Sequence, residues 1–243
     1  GHSNFDRIWT IKPDIVKLDR SFLVRASKQD RIREMLSGIV SLLHQAGALV
    51  LLEGIETLDQ AMMAIESDAD FVQGFYFGRP FTRLTEPLEP FDCFPSLFDQ
   101  HKAISALEKT KFQEMITTYG RLFERAVNCL KQGLSLDLAT RELLAEPSVA
   151  RCYQMDINGV QIGRTLVSAS YPCISHERFK PLEDAKSADW FRRHYLKRAI
   201  LHPGQLQVTR PYLSITGAHM CITLSIKFSA GQDQSVLCCD LWV

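Results

Sequence analysis

The sequence predicts an α/β segment followed by an α+β segment, with a long helix between them. Three short apolar runs, at 14–19, 48–53 and 70–74, are separated by amphipathic stretches. A stretch without proline, from Leu97 to about Lys131, places apolar residues three or four apart. After about residue 149, β-rich segments are separated by glycine-containing turns. These patterns are typical of βαβ units, of a helix and of an antiparallel sheet, respectively.

The three apolar runs predict parallel strands that are buried on both faces. A polar residue lies at or just before the end of each run, namely Lys17, Glu53 and Gln73. In a barrel of parallel strands, the strand ends meet at one mouth. We therefore expect the amine, the carboxylate and the amide to converge on one small polar site.

The blocks around these residues resemble a known family. Residues 13–22, 53–57 and 70–80, together with Gln60, resemble the last third of an EAL domain. The intervals of 36 residues from Lys17 to Glu53, and of 20 residues from there to the next strand end, agree with the family. The resemblance implies that residues 1–90 are the last strands of a (β/α)8 barrel of the TIM type, in a family that binds cyclic di-GMP and hydrolyses it with divalent metal.

The resemblance also implies roles for individual residues. Lys17 matches the family's catalytic lysine, Glu53 matches an acid that coordinates metal or acts as general base, and Glu56 matches a supporting acid. The implied substrate-binding positions are Gln73, Asp19 and Arg20. Carboxylates and amides are the ligands that Mg²⁺ or Mn²⁺ would take, and two such ions can hold both the nucleophile and the leaving oxygen of a phosphodiester.

The family's other metal ligands have no counterpart in the sequence. There is no Glu-Ala-Leu signature and no Asp-Asp pair. We therefore expect a fragment that does not hydrolyse cyclic di-GMP alone. An open edge of a parallel sheet favours aggregation. We therefore also expect that another piece of the barrel completes this edge, that a partner chain covers it, or that the region has refolded.

Two interpretations of the strand-end residues are open. Glu53 could be a solvated strand end, and the stem of Lys17 could lie along apolar surface with its amine in water. If Lys17 is buried in a barrel, however, its charge requires a carboxylate or phosphate partner.

Composition limits the classes of function. Lysine plus arginine and aspartate plus glutamate both number 28, so no overall field attracts DNA or a membrane. No apolar run is long enough to span a membrane, which predicts a cytoplasmic chain, although an anchor upstream is compatible with this. The seven cysteines include no C-x-x-C pair and predict reduced core thiols, with a redox role for Cys238 and Cys239 as the alternative.

Residues 91–132 are predicted to be a linker and a signalling helix. Prolines 87, 90 and 95 punctuate the link at 84–96 that leads into the helix, and Gly133 is a suitable helix stop. The apolar positions of the helix are Ile104, Leu107, Met115, Tyr119, Leu122, Ala126 and Leu130. This face either packs on the domain that follows or also forms the seam of a homodimer.

Residues 133–243 are predicted to form a sensor-like domain. A hairpin at 149–167 with a type I′ turn at Asn158-Gly159 is expected, followed by strands at 207–213, 220–228 and 235–243 and a helix at about 188–200. Residues 156–159, 190–195, 210–214 and 221–225 resemble a Cache or PAS-like ligand-sensing domain. The resemblance implies a pocket for an unidentified small molecule, with Trp190, Arg193, Tyr195 and Tyr212 as candidates.

Arginine beside aromatic rings can hold a carboxylate within apolar walls. The alternative is that the aromatic residues are core packing and that the arginines point to water.

Two functions follow as hypotheses. The first is a cyclic di-GMP phosphodiesterase regulated by a C-terminal sensor domain. The second is a catalytically inactive EAL receptor or protein-interaction module. An intact lysine, acid and amide favour the first, because a receptor has no need of the catalytic lysine.

Overall fold

The computed structural model describes residues 4–80, 93–170, 185–215 and 219–242, with side chains from Arg7 onward. The chain divides into two compact units, Gly1–Thr110 and Lys111–Val243, which we call unit 1 and unit 2. Most of the predicted linker between Leu84 and Asp92 lies outside the described residues.

Unit 1 contains a parallel three-stranded sheet with its strands in the order β1-β2-β3. Its elements are α1 (Asn4–Ile11), β1 (Ile15–Leu18), α2 (Arg20–Ala26), α3 (Asp30–Gln45), β2 (Leu49–Glu53), α4 (Leu58–Glu66) and β3 (Phe71–Gln73), followed by the first part of α5 (Cys93–Lys131). The predicted alternation of parallel strands and helices is thus confirmed.

The two faces of this sheet differ in burial. Val50 and Leu52 are completely buried against the helices. Ile15, Leu49 and Phe71 lie on the other face and are 44–47% exposed. The expectation of a sheet buried on both faces is therefore wrong for the described residues, since helices cover one face only.

Unit 2 is built on a six-stranded antiparallel sheet. After the rest of α5, its elements are α6 (Leu136–Ala139), α7 (Arg141–Ala145), β4 (Val149–Asp156), β5 (Gln161–Val167), α8 (His194–Leu201), β6 (Gln207–Val208), β7 (Tyr212–Leu213), β8 (Met220–Ala230) and β9 (Asp233–Trp242). The strand order is β5-β4-β9-β8-β6, and β7 also pairs with β8. The predicted antiparallel α+β architecture is confirmed.

The sheet of unit 2 separates two apolar clusters. One contains Leu237, Cys239 and Leu241 of β9 with the second half of α5. The other contains Val236 and Cys238 with α8. Successive residues of a strand point to opposite faces, which explains why adjacent positions belong to different clusters.

Three local predictions in unit 2 are wrong. The strand expected at 207–213 is divided into β6 and β7. Pro211 has no N–H to donate to the neighbouring strand. The backbone N–H of Thr223 donates to the side-chain hydroxyl of Thr209 and not to a backbone carbonyl of this segment. The helix expected from residue 188 begins at His194, because the backbone of Trp190 donates to Gly159 and extends the sheet contact.

The third error is the turn of the hairpin. A type I′ turn requires positive φ at both central residues. Only Gly159, with φ of 94°, has it. The Asp156 carboxylate instead accepts from the backbone N–H groups of Asn158 and Val160, at 2.9 and 2.8 Å, and organises a longer turn.

Helix α5 agrees with its predicted extent and ends near Gly133, whose φ is 82°. Tyr119, Leu122, Ala126 and Leu130 are buried in unit 2. Ile104 and Leu107 are exposed. The second half of the face thus packs on its own domain, and the homodimer seam stays a prediction.

The described cysteines are all free thiols, and Cys152, Cys238 and Cys239 are completely buried. Cys173 lies outside the described residues. Burial raises the pKa of both thiols of the adjacent pair. No helix in the described ranges is long and apolar enough to cross a membrane.

Candidate functional site

The residues predicted for the barrel site lie together at one end of the sheet in unit 1. Glu53 is the register partner of Gln73 on the neighbouring strand. The ammonium of Lys17 forms an ion pair with the carboxylate of Glu53. The amine, acid and amide thus come from three adjacent parallel strands and form one polar edge, which we call the strand-end edge.

Lys17 is exposed in the described structure, which agrees with the interpretation that its amine lies in water. Its side chain is 56% exposed, and that of Glu53 is 30% exposed. The reason is the strand alternation, which puts Lys17 on the same open face of the sheet as Ile15. The ammonium is hence partly hydrated, and a neighbouring anion could reach it from solvent.

Two glycines fix the backbone at the strand-end edge. Gly54 has φ of 72°, and a Cβ there would lie 2.6 Å from the side chain of Arg20. A Cβ on Gly74 would lie 2.0 Å from the carbonyl oxygen of Ile55. The backbone N–H of Ile55 donates to the carbonyl of Gln73 at 3.0 Å. The loops after β2 and β3 are therefore held against each other, which positions the side chains of both strand ends.

The helices that follow the strands begin with capping interactions. The Asp19 carboxylate accepts from the backbone N–H of Ser21 at 2.8 Å, which caps α2. Hydrogen bonds from the side chain and then the backbone of Ser21 lower the pKa of Asp19. Thr57 caps α4 through the backbone N–H of Gln60 at 3.2 Å. The Gln60 side chain in turn accepts from the backbone N–H of Glu56 at 2.8 Å. Asp19 and Gln60 thus have structural partners that account for their residue types.

Arg20 and Glu56 form a second ion pair near the strand-end edge. Their Nη2 and Oε2 atoms are 2.6 Å apart, and both side chains are partly exposed. The pair links the start of α2 to the loop after β2. The supporting role that the sequence suggested for Glu56 and the substrate-binding role of Arg20 both stay predictions.

The strand-end edge does not by itself form a metal site. Among the described residues there is no group of three histidine, cysteine, aspartate or glutamate side chains that could hold an ion. Mg²⁺ requires near-octahedral oxygen coordination. Glu53 is one carboxylate, and Lys17 already neutralises it. Further ligands would be needed to hold the divalent metal that the sequence suggested.

The structure also brings the four predicted sensor residues together. Trp190, Arg193, Tyr195 and Tyr212 all line one pocket in unit 2, which is partly open to solvent and has a cavity volume of about 20 Å³, room for about one water molecule. The Arg193 guanidinium carbon lies 5.6 Å from the centre of the Trp190 ring. The Trp190 Nε1–H donates to Gln161 at 3.1 Å. Their role in ligand binding stays a prediction.

Gly159 positions the tryptophan of this pocket. Its carbonyl accepts from the backbone N–H of Trp190 at 2.8 Å. A Cβ on Gly159 would lie 2.6 Å from the backbone nitrogen of Phe191. The hairpin turn and the segment before α8 therefore approach so closely that only glycine fits.

A buried ion pair forms one wall of the pocket. Arg151 Nε lies 2.9 Å from Asp240 Oδ2, with side chains 7% and 2% exposed. The hydroxyl of Thr223 donates to Asp240 Oδ1 at 2.7 Å. Arg151, Asp240 and Thr223 are register neighbours on β4, β9 and β8. The polar row thus crosses three adjacent strands.

Burial changes the pKa values of the ionisable side chains in and around this wall. Burial raises the pKa of Asp240, and Arg151 opposes that shift. Burial also raises the pKa values of the Tyr153, Tyr195 and Tyr212 hydroxyls. It raises the pKa of Cys221 to about 12. The tyrosine hydroxyls and this thiol are therefore neutral at physiological pH.

Sequence reasoning missed Arg151 and Asp240. Both are charged residues inside otherwise apolar strands, in Val149-Ala-Arg-Cys152 and Cys238-Cys-Asp-Leu241. Such a position is costly without a partner. That signal is present in the sequence, but it does not show which strands lie side by side.

Comparison with known families gives a match for the N-terminal region, which contains the strand-end edge. Residues 1–80 match the model of the EAL domain. Cyclic di-GMP phosphodiesterase RocR of Pseudomonas aeruginosa is 32% identical over 80 residues, which are 33% of this chain and 20% of RocR. Cyclic di-GMP phosphodiesterase PdeL of Escherichia coli is 29% identical over 80 residues, which are 33% of this chain and 22% of PdeL. The N-terminal region is thus similar to the EAL region of these enzymes.

A solved structure extends the likeness in fold to both units. The Bacillus subtilis YkuI protein, which has an EAL domain and was crystallised with its substrate cyclic di-GMP and calcium, superimposes with a TM-score of 0.74 at 23% identity. The match covers 99% of this chain and 60% of the YkuI chain. The chain therefore spans less than two thirds of each of these three proteins. The resemblance of residues 133–243 to a Cache domain stays a prediction.

Proposed function

We propose that the strand-end edge is part of a site that binds and hydrolyses cyclic di-GMP in an EAL domain. The observation that supports it best is the ion pair of Lys17 and Glu53 beside Gln73, within the region that matches the EAL model. Curated relatives of that region are named cyclic di-GMP phosphodiesterases. The product in this proposal is the linear dinucleotide.

The residue types suit attack on a phosphodiester. The phosphodiester is anionic, and negative charge on its oxygens increases as water attacks. The ammonium of Lys17 can stabilise that charge, since it is partly exposed and held in place by Glu53. The Gln73 amide can donate a hydrogen bond to a phosphate oxygen or to a nucleobase of the dinucleotide. Arg20 and Glu56 support the loop next to it.

The proposal includes a divalent metal, Mg²⁺ or Mn²⁺, which would supply electrostatic stabilisation of the phosphate and activation of water. Within the described part of the chain, Glu53 is the acid that would contribute to it. Because one carboxylate is too few, the remaining ligands would come from further strands of the EAL domain.

Substitution in a protein that carries this chain within a complete EAL barrel tests the proposal. Lys17→Ala and Glu53→Ala should each reduce hydrolysis of cyclic di-GMP with Mn²⁺ at least about 100-fold, as is usual when a group that stabilises transition-state charge is removed. Lys28→Ala, which removes an exposed lysine of the same unit, is the matched control and should leave the rate unchanged. Full turnover in both variants would refute the site.

A second candidate is a receptor that binds cyclic di-GMP without cleaving it. A receptor would use the ammonium of Lys17 and the amide of Gln73 to hold the dinucleotide and would need no complete set of metal ligands. The same assay separates the two functions. Tight binding of cyclic di-GMP with no linear product from the unsubstituted protein would identify the receptor.

We also propose that unit 2 is a ligand-sensing domain that regulates this activity. Its pocket has aromatic walls, a partly exposed guanidinium and an opening to solvent. These are the features of a small-molecule site.

A further inference from the structure

We infer that unit 2 has a separate binding site, on the α5 side of its sheet, which takes a short extended peptide whose two ends are free. The site is a groove between the last two turns of α5, the turn that follows α8 and the end of β8, and we call it the α5 groove. The pocket that contains Trp190 lies on the other side of the sheet. The inference therefore goes beyond the proposed hydrolysis and does not depend on the role of that pocket.

The α5 groove is large enough for such a ligand. Its cavity volume is about 570 Å³, and it is open to solvent. Small-molecule sites usually have volumes of about 300–1,000 Å³. The pocket on the α8 side, by contrast, has room for about one water molecule. Of these two cavities, the α5 groove is therefore the one with space for an organic ligand.

The floor of the groove is apolar. Val127 of α5 and Ile226 and Phe228 of β8 line it and are only 6–7% exposed. All three belong to the cluster between the helix and the sheet. An apolar side chain of a ligand can therefore displace water from an apolar surface when it lies over this floor.

One wall of the groove is an open sheet edge. The carbonyl of Lys227 accepts from the backbone N–H of Gly204 at 3.0 Å, so it points away from β9. Residues two apart on an antiparallel strand direct their backbone groups to the same side, so the N–H and C=O of Ser229 also point away from β9. Within the described ranges, no strand pairs with Ser229 on that side. An extended peptide can add to such an edge as a further strand.

The other wall presents two opposite charges with an amide between them. Glu124, Asn128 and Lys131 lie along one face of α5, and all three are exposed. In the part of the chain that the structure describes, neither Glu124 nor Lys131 forms an ion pair. Both charges are therefore available to a ligand that carries the opposite charges at its two ends.

The spacing of these charges sets the length of the ligand. Glu124 and Lys131 are seven residues apart, which is about 10 Å along a helix. An extended chain rises about 3.3 Å per residue, so three residues also span about 10 Å. A tripeptide can thus place its ammonium near Glu124 and its carboxylate near Lys131, with its peptide groups beside the edge at Ser229. The ligand class is a zwitterionic peptide of about three residues.

Three forms of one peptide test the role of the charged ends: Ala-Leu-Ala, its N-acetyl derivative and its C-terminal amide. Calorimetric titration of the full chain should show that Ala-Leu-Ala binds at least about threefold more tightly than either derivative, because each derivative loses one ion pair at a solvated rim. Free leucine has both charges but is too short to span them, and it should bind at least about tenfold more weakly. Absence of Ala-Leu-Ala binding at millimolar concentration, or equal binding of the three forms or of leucine, would overturn the inference.

Two substitutions locate the charges. Glu124→Gln should weaken the binding of Ala-Leu-Ala about as much as acetylation does, without weakening the acetylated peptide further, because both changes remove the same contact. Lys131→Gln should likewise weaken Ala-Leu-Ala but not its amide. Glu114→Gln and Lys111→Gln remove equal charges from exposed positions of the same helix and should have no effect. Equal weakening by these control variants would show nonspecific attraction and would overturn the assignment.

Methylation of the peptide backbone tests the addition to the sheet edge. Ala-Leu-Ala that is methylated on both peptide nitrogens keeps its charged ends but cannot donate to the carbonyl of Ser229. It should bind at least about threefold more weakly, since a hydrogen bond is lost. Ser229→Pro removes the N–H at the edge and should weaken the unmethylated peptide, with a far-UV circular dichroism spectrum equal to that of the parent chain as the check on folding. Full affinity of the methylated peptide for the parent chain would show that no strand is added and would overturn the inference.

Discussion

The two units each contain an ion pair on a sheet, but the pairs differ in burial. Lys17 and Glu53 in unit 1 are 56% and 30% exposed. Arg151 and Asp240 in unit 2 are 7% and 2% exposed. Each pair joins adjacent strands. The comparison isolates the effect of solvent on the same type of contact.

An exposed pair contributes little to stability and can exchange its partner, because water solvates either charge when the pair opens. A buried pair is different, since removing one partner leaves the other charge without solvent. The pair in unit 1 can therefore open toward another charged group. The pair in unit 2 is suited to fix the arrangement of three strands.

The largest expected loss of stability comes from removing one partner of the buried ion pair. Arg151→Met should reduce the free energy of unfolding of unit 2 by about 3–5 kcal/mol, because the Asp240 carboxylate loses its counter-ion in a dry environment. Chemical denaturation followed by the fluorescence of Trp190 and Trp242 measures it. The double variant Arg151→Met/Asp240→Leu should recover most of the loss.

The exposed pair provides the control for this prediction. Lys17→Met should change the free energy of unfolding of unit 1 by less than about 1 kcal/mol. A loss in unit 1 as large as that in unit 2 would contradict the proposed dependence on burial.

A smaller effect is expected from the contact between the loops in unit 1. Gly74→Ala places a Cβ 2.0 Å from a backbone oxygen, so the loops must separate, and we expect a loss of about 1–3 kcal/mol. Gly38→Ala is the matched control, because it meets nothing within 4 Å in helix α3. It should stabilise the helix by about 0.5–1 kcal/mol. Far-UV circular dichroism during denaturation measures both, and equal stability of the two variants would contradict the close approach of the loops.

The smallest effect is a difference in pH dependence between the two units. In unit 1, the backbone N–H of Val50 donates to Asp70 at 2.7 Å and lowers the pKa of that carboxyl, with a further contribution from His44. In unit 2, burial raises the pKa of Asp240. Asp70→Asn and Asp240→Asn should therefore change the pH dependence of stability in opposite directions.

The signs follow from proton binding relative to the ordinary value of 3.8. A carboxyl whose pKa is lowered in the folded state, such as Asp70, stabilises the fold at pH values above its ordinary pKa. This stabilisation is lost as the pH falls through the folded-state pKa. A carboxyl whose pKa is raised in the folded state, such as Asp240, stabilises the fold at pH values below its ordinary pKa. This stabilisation is lost as the pH rises through the folded-state pKa. Between pH 3 and 6, the stability of the parent relative to Asp70→Asn should rise with pH, and relative to Asp240→Asn it should fall. Parallel slopes would show that burial does not control Asp240.

The elements of unit 1 were largely predictable from the sequence. Its strands are short apolar runs with polar ends, and family spacing connects Lys17 with Glu53. What the sequence did not show is that Lys17 is exposed, because its burial depends on which elements cover the second face. An apolar run alone does not distinguish a face that is covered from one that is open.

Unit 2 was predictable in architecture but not in its polar row. The helix stop at Gly133 and the long strands follow from local patterns. The pairing of Arg151 with Asp240 depends on the register of strands about 90 residues apart in the chain, which periodicity does not determine. The start of α8 also depends on a distant contact, since Trp190 bonds to Gly159 instead of continuing a helix.

Strand β9 touches two environments at once. Val236, Cys238 and Asp240 point toward the pocket side, whereas Leu237, Cys239 and Leu241 point toward the second half of α5. A displacement of a single peptide unit in this strand would be felt on both surfaces, because interiors are close-packed. In the described part of the chain, only strand β9 separates the pocket from the second half of α5. A movement of Asp240 would therefore be transmitted to the helix directly through this strand.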